Sequence, residues 1–187
     1  MNEKIGVIGG GQMGSQIASL AAMAGYDTHI YDQDLDNLNQ KLNFSEENLK
    51  NLILKKIYNE DHLKNFKNNI NVVNSLENLS KDRTFIIEAV VERLDVKLEI
   101  FSYLSKLTSR DVVLATNSSF IAASEIAKNC TFLDRFINMH FFYPPLRMDL
   151  IEISYPESTN KEVVLRTQNV GRSEERRVGK ECRSRWS

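Results

Sequence analysis

Hydrophobic positions along the chain fall into two alternating rhythms. Ile5, Val7 and Ile8 make a short apolar run, and a cluster of glycines follows. Beyond it Met13, Ile17, Leu20, Ala21 and Ala24 recur at i, i+4, i+7, i+8 and i+11, the stripe of a helix lying on a sheet. His29 to Tyr31 reads as a second strand, with Asp32 at its end. From about 35 to 68 the pattern loosens. Leu35, Leu38, Leu42, Leu49, Leu52, Ile53 and Ile57 form a helical stripe among many Asn and Lys residues, which predicts one long helix or two, more solvated than the first. Ile70 to Val73 predicts a short strand. Thr84 to Val91 is an apolar run suited to a strand buried on both faces of a parallel sheet. A helix follows with Leu94, Leu98, Phe101 and Leu104 on one face. Val112 to Thr116, Phe136 to Met139 and Leu150 to Ile153 predict three further strands, and Glu162 to Gln168 begins another helix. This alternation predicts an α/β fold with a doubly wound, mostly parallel sheet, whose ligands bind outside the carboxyl ends of the strands.

The first glycine cluster adds chemistry to that pattern. Gly9-x-Gly11-x-x-Gly14 joins a strand to a helix, and the second strand delivers Asp32 18 residues after Gly14. Gly9 permits the tight turn, Gly11 lets the backbone approach a pyrophosphate, and Gly14 lets helix and strand pack closely. The free amides at the helix start, at the positive end of its dipole, suit phosphates. A carboxylate at position 32 suits an adenosine ribose. It would repel a 2′-phosphate, and Gln33 and Asp34 offer no arginine to offset that, so NAD is expected rather than NADP. The motif in this context predicts a Rossmann-type dinucleotide-binding domain.

Composition narrows the class. The 187 residues suit one domain with a real core. The formal charge of -1 gives no reason to expect nucleic acid or an anionic membrane as partner. No apolar run approaches the ~20 residues of a membrane span. The chain enters its first strand at once, so no signal peptide is read. Two cysteines, Cys130 and Cys182, are too few for a disulfide framework or a zinc site, and a cytoplasmic protein is expected. His62, in a charged setting, and His29, inside a strand, are expected to be structural.

Polar residues gather at the predicted strand exits: Glu88, Glu92 and Lys97 after the Thr84 strand, Asn117, Ser118 and Ser119 after the next, and His140 after Phe136 to Met139. An imidazole, with an ordinary pKa near 6.5, suits proton transfer at neutral pH. Glu152 could orient it, as a carboxylate behind a catalytic histidine does. Sequence alone leaves open the alternative of a strand-end His satisfied by backbone hydrogen bonds.

Gly9-x-Gly11-x-Met13-Gly14, Glu88-Ala89-Val90-Val91-Glu92 with Lys97, Ala115-Thr116-Asn117-Ser118-Ser119, and His140-Phe141-Phe142-x-Pro144 with Glu152 together resemble the NAD-binding domain of L-3-hydroxyacyl-CoA dehydrogenases. The resemblance covers residues 3 to about 168. It implies reversible hydride transfer from C3 of a 3-hydroxyacyl thioester to NAD+. His140 would be the general base, Glu152 its partner, and Ser119 a hydrogen-bond partner of the reacting oxygen. Asn117 would help fix substrate and nicotinamide. Gln12, Met13, Ala89 and Val90 would line the cofactor, with Glu92 and Lys97 near the nicotinamide ribose and Asp32 on the adenosine ribose. The family also implies an acyl-CoA substrate and a homodimer formed through a second, helical domain.

Departures bear on substrate preference. Phe120 stands where the family usually has a second serine, Tyr143 where it has Asn, and Asp149 where it has Lys. All three bear on acyl-chain and CoA preference more than on reaction type; Tyr143 and Asp149 keep open a free hydroxy acid or sugar acid as substrate, and a non-catalytic NAD-binding protein is a third reading. The helical domain is not found in this sequence. Residues 172–187, RSEERRVGKECRSRWS, lack a hydrophobic period and match the conceptual translation of a common sequencing-adapter oligonucleotide. The expectation is therefore a Rossmann domain over 1–171, incomplete at its end, followed by a non-native tail that supplies three net positive charges. Such a fragment is expected to bind NAD and to be weakly active or inactive.

Overall fold

The computed structural model describes residues 3–173, together with the backbone of 177–179. The elements run β1 (Ile5–Ile8), α1 (Gln12–Met23), β2 (Thr28–Tyr31), α2 (Leu35–Leu54), α3 (Glu60–Asn69), β3 (Ile70–Val72), α4 (Leu76–Ser80), β4 (Phe85–Glu88), α5 (Leu94–Leu107), β5 (Val113–Thr116), α6 (Ala123–Ile126), β6 (Phe136–Phe141), β7 (Leu150–Ser154), α7 (Lys161–Ser173) and β8 (Arg177–Gly179). They build one sheet of order β3-β2-β1-β4-β5-β6-β7-β8. Pairing is parallel from β3 through to β6, antiparallel between β6 and β7, and parallel again at β8. Among the described residues no helix is long and apolar enough to cross a membrane.

The doubly wound α/β expectation holds, with corrections at the element ends. β4 stops at Glu88 rather than Val91, because Ala89 and Val90 turn their amides to Ile8 and to the Glu88 carboxylate. β6 runs on to Phe141, so His140 lies within the strand rather than after it. The loose stripe after Asp32 resolves into two helices. α3 starts at a capping box in which the Asn59 side chain accepts from the His62 amide and the His62 ring from the Asn59 amide. α7 continues without a break past Gly171 to Ser173. The remainder of the segment expected to be foreign, apart from the backbone of β8, lies outside the described residues.

Two cores sandwich the sheet. Val7, Ile30, Ile87, Ala115 and Met139 pack under α1, α2 and α3. Ile8, Ile86, Leu114 and Phe136 pack against α4, α5 and α6. Every residue of β4 is buried, as a strand covered by helices on both faces requires. A truncation such as Ile87→Ala there costs about 2–5 kcal/mol. The parallel strands all end on one edge, and the loops after β1, β4 and β5 meet there.

Candidate active site

Three side chains, one from the loop after β5 and two from β6 and β7, converge on that edge. β5 ends at Thr116, and the chain turns out through Asn117 and Ser118 to the exposed Ser119. Its Oγ lies 3.1 Å from Nε2 of His140. On the far side of the ring, Nδ1 lies 3.4 Å from Oε2 of Glu152. The antiparallel pairing of β6 and β7 puts His140 directly opposite Glu152 in register, which brings their side chains to the same face. Phe142 packs against the imidazole at 4.7 Å between ring centres. The imidazole thus has a hydroxyl on one nitrogen and a carboxylate on the other, and remains open to solvent: His140 is 18% exposed in its side chain and Glu152 44%. Asn117 is held by its carbonyl, which accepts from the Phe141 amide at 2.8 Å, so its NH2 group is left to donate elsewhere.

Behind this rim lies a second charged cluster, buried at its base. Lys97 and Glu88 are 1% and 0% exposed in their side chains, with Nζ and Oε1 2.6 Å apart. Glu88 also accepts from the Val90 amide at 2.8 Å and from the Thr116 hydroxyl at 2.7 Å. Lys97 reaches outward to Oε2 of Glu92 at 3.3 Å. Glu92 in turn accepts from the Ser118 hydroxyl and from the Phe120 amide. Burial pushes the Glu92 carboxyl up, but those hydrogen bonds and the Lys97 charge outweigh it and hold the group below the ordinary glutamate range. Ser118 is visible in the sequence only as a strand-exit polar residue and Thr116 only as a strand end; neither is tied to this cluster there, since a hydroxyl at a strand exit carries no periodic signal.

The glycine turn has the form its spacing predicts. Gly9 adopts φ +99, and a Cβ there would lie 2.6 Å from the Ala89 carbonyl oxygen. A Cβ on Gly14 would lie 1.8 Å from the Gly9 oxygen, so α1 sits directly on the turn. A Cβ on Gly11 meets no atom within 4 Å. Gly11 caps α1 without any side-chain hydrogen bond to its first amides. Asp32, just past β2, accepts from the Gly10 amide at 2.5 Å and from the Asp34 amide at 2.9 Å.

Comparison with known proteins places this architecture. The sequence matches the family model described as 3-hydroxyacyl-CoA dehydrogenase, NAD binding domain, over residues 4–181. The chain belongs to that family. A 3-hydroxybutyryl-CoA dehydrogenase of Clostridioides difficile is 33% identical over 158 residues, which are 84% of this chain and 56% of the relative. The mitochondrial hydroxyacyl-coenzyme A dehydrogenase of Sus scrofa is 30% identical over 163 residues, 84% of this chain and 52% of the relative. The crystal structure of 3-hydroxybutyryl-CoA dehydrogenase from Escherichia coli superposes with a TM-score of 0.91 at 27% identity, over 98% of this chain and 39% of that one. The chain spans about half the length of the curated relatives it matches.

The residues of this 3-hydroxyacyl-CoA dehydrogenase domain fit the NAD of its family. The open side of Gly11 and the uncapped start of α1 leave a cradle where a diphosphate can touch backbone amides. Gln12 is exposed beside it, while Met13 is half-buried against the core. Ala89 and Val90 are half-buried on the same edge as the turn. Asp32 spends lone pairs on the turn itself and keeps others free for a ribose hydroxyl. Lys97 has almost no exposed surface, and its ammonium reaches the edge only through Glu92.

Proposed function

We propose that the protein is the NAD-binding half of an L-3-hydroxyacyl-CoA dehydrogenase, oxidising the 3-hydroxyl to a ketone. The observation that carries this reading is the Ser119–His140–Glu152 chain at 3.1 and 3.4 Å, on the edge that also holds the glycine turn. NAD+, when bound, supplies the acceptor for the hydride that leaves C3. The substrate hydroxyl sits between Ser119 Oγ and His140 Nε2. As the C3–H bond breaks, the hydroxyl proton passes to Nε2 and its O–H electrons form the carbonyl. Glu152, accepting from Nδ1–H, offsets the positive charge that develops on the ring. Ser119 donates to the oxygen, and the free amide protons of Asn117 orient substrate and nicotinamide. The 3.4 Å contact is long for a hydrogen bond and is expected to shorten when substrate closes the site.

In this reading Glu92 faces the nicotinamide ribose and Lys97 fixes it from behind. Asp32 meets the adenosine ribose, and Gln12, Met13, Ala89 and Val90 line the groove. The substrate is an acyl-CoA, the protein is cytoplasmic, and its dimer forms through a region outside residues 1–171. The 187-residue chain binds NADH but turns over acyl-CoA weakly or not at all.

NADH titration of this chain and acetoacetyl-CoA reduction, by this chain and by its longer parent reading frame, test the proposal. Saturable NADH binding with turnover only in the longer form is the expected result. Turnover of the free 3-hydroxy acid at the rate of its CoA thioester would reject the acyl-CoA assignment.

A further inference from the structure

The segment after β6 does not leave the site. It folds back onto α1, and Leu146, fully buried, donates its amide to Gln16 Oε1 at 3.2 Å while its carbonyl accepts from Tyr58 at 3.1 Å. Those anchors are internal and fix the base of the segment. At its tip, Tyr143 is exposed, and its hydroxyl accepts a hydrogen bond from Nε2 of Gln12. Gln12 is the first residue of α1 and follows Gly11, whose open side forms the cradle. A polar strap therefore crosses from the His140 segment to the start of the phosphate-binding helix.

The donor count on this strap is informative. The Tyr143 oxygen accepts the Gln12 proton, so its own O–H proton points away from Gln12. Among the described residues its only hydrogen bond is the one from Gln12. Gln12 has a second amide proton as well. Two donors thus stand at the positive start of α1, which no side chain caps.

We propose that Tyr143, together with Gln12, is a diphosphate-binding residue of this domain, closing the cradle from the side opposite the glycine turn. The assignment rests on the NAD-binding reading above and adds to it a contact from the catalytic segment. Because Tyr143 is three residues from His140, an occupied cradle holds the segment that carries the base. The hydroxyl is the working group, and Phe at this position keeps the ring while removing the donor.

The test uses the full 187-residue chain, wild type and Tyr143→Phe, titrated with NADH, ADP-ribose and adenosine. The expected result is a loss of about 3- to 10-fold for NADH and for ADP-ribose alike, the size of one hydrogen bond, with adenosine binding unchanged. Gln12→Ala should weaken the same two ligands, and the double variant should be no worse than the product of the singles, with coupling between them. Equal affinity of wild type and Tyr143→Phe for ADP-ribose would overturn the proposal. So would an equal loss for adenosine, which would mark a general loosening of the fold. Failure of the wild type to bind NADH would reject the NAD-binding reading itself, and this inference with it. Unchanged thermal melting of unliganded Tyr143→Phe is the control that separates a lost contact from a damaged fold.

Discussion

Two acid–base pairs lie side by side on the carboxyl edge of the sheet, and they are built on opposite principles. Glu88 and Lys97 are sealed from water, 2.6 Å apart, with the remaining acceptor capacity of Glu88 taken up by Val90 and Thr116. His140 and Glu152 are longer, at 3.4 Å, and open, with the Ser119 hydroxyl as the ring's other partner. A buried pair with its polar atoms satisfied holds its elements in place, because removing either partner strands the other's charge. An open pair can exchange with a substrate. The inner cluster therefore serves as the floor that positions β4, β5 and α5, and the outer one is where chemistry can occur.

The contrast breaks most visibly at Glu88. Glu88→Ala would leave the Lys97 ammonium buried with only the more distant Glu92 carboxylate, and would leave the Thr116 hydroxyl proton without its acceptor. A stability loss of about 3–5 kcal/mol is expected in urea unfolding, enough to unfold a marginal domain. The double variant Glu88→Leu/Lys97→Met, which removes both charges, should recover most of that loss. A single variant that melts like wild type would show that the cluster is not the floor described.

His140→Ala should do the reverse. The ring is partly exposed and its contacts are few, so stability should change by less than about 1 kcal/mol. On the proposed function, acetoacetyl-CoA reduction by a longer form should fall about 10²–10⁴-fold in this variant, the contribution expected of a positioned general base. An unchanged rate would remove His140 from the mechanism.

The glycine turn divides in the same way at smaller cost. Gly14→Ala drives a methyl to within 1.8 Å of the Gly9 oxygen and must shift α1 off the turn, a destabilisation of at least about 1–3 kcal/mol. Gly11→Ala meets no protein atom, so the fold should be kept while NADH binding is lost. Circular dichroism melts with NADH titration check both, and equal melting of the two variants would argue against this division.

These differences were only partly legible in the chain. The glycine spacing and the apolar runs of β1, β4 and β5 are local signals and were read as such. The pairing of His140 with Glu152 is not local, since it depends on β7 running antiparallel to β6. A signal for that existed: only Phe142 to Asp149 joins the two strands, shorter than the dozen or so residues a parallel crossover needs. The burial of Lys97 was also hinted at, because it falls on the apolar face made by Leu94, Phe101 and Leu104. Its positive charge argued the other way. Its acidic neighbours were legible too, since Glu88 and Glu92 gather with Lys97 at one strand exit; what the pattern did not show is that Glu88 and Lys97 pair sealed from water. α4, five residues long, is too short to show a period at all.

Glu92 joins the two clusters and gives the smallest test of their difference. One oxygen faces Lys97 in the floor, and the other accepts from Ser118 and Phe120 at the rim. Its carboxyl is held below its ordinary value near 4.5, so the ionised form stabilises the fold above that value. The contribution is lost as pH falls through the lowered value. Because the side chain is about one-third exposed, solvent screening limits the effect to roughly 1 kcal/mol or less. Glu3 and Asp27, held down by Arg166 and Arg83, titrate over the same acid range, so the informative quantity is the difference between wild type and Glu92→Gln in melts from pH 7 to pH 3. Wild type should lead at pH 7 and lose its lead below the ordinary glutamate range. Parallel profiles would mean that Glu92 does not feel the Lys97 charge, and that floor and rim are electrostatically separate. A lead that disappears on acidification, with NADH affinity also weakened in Glu92→Gln, would mean that the buried lysine acts on the cofactor groove through this one carboxylate.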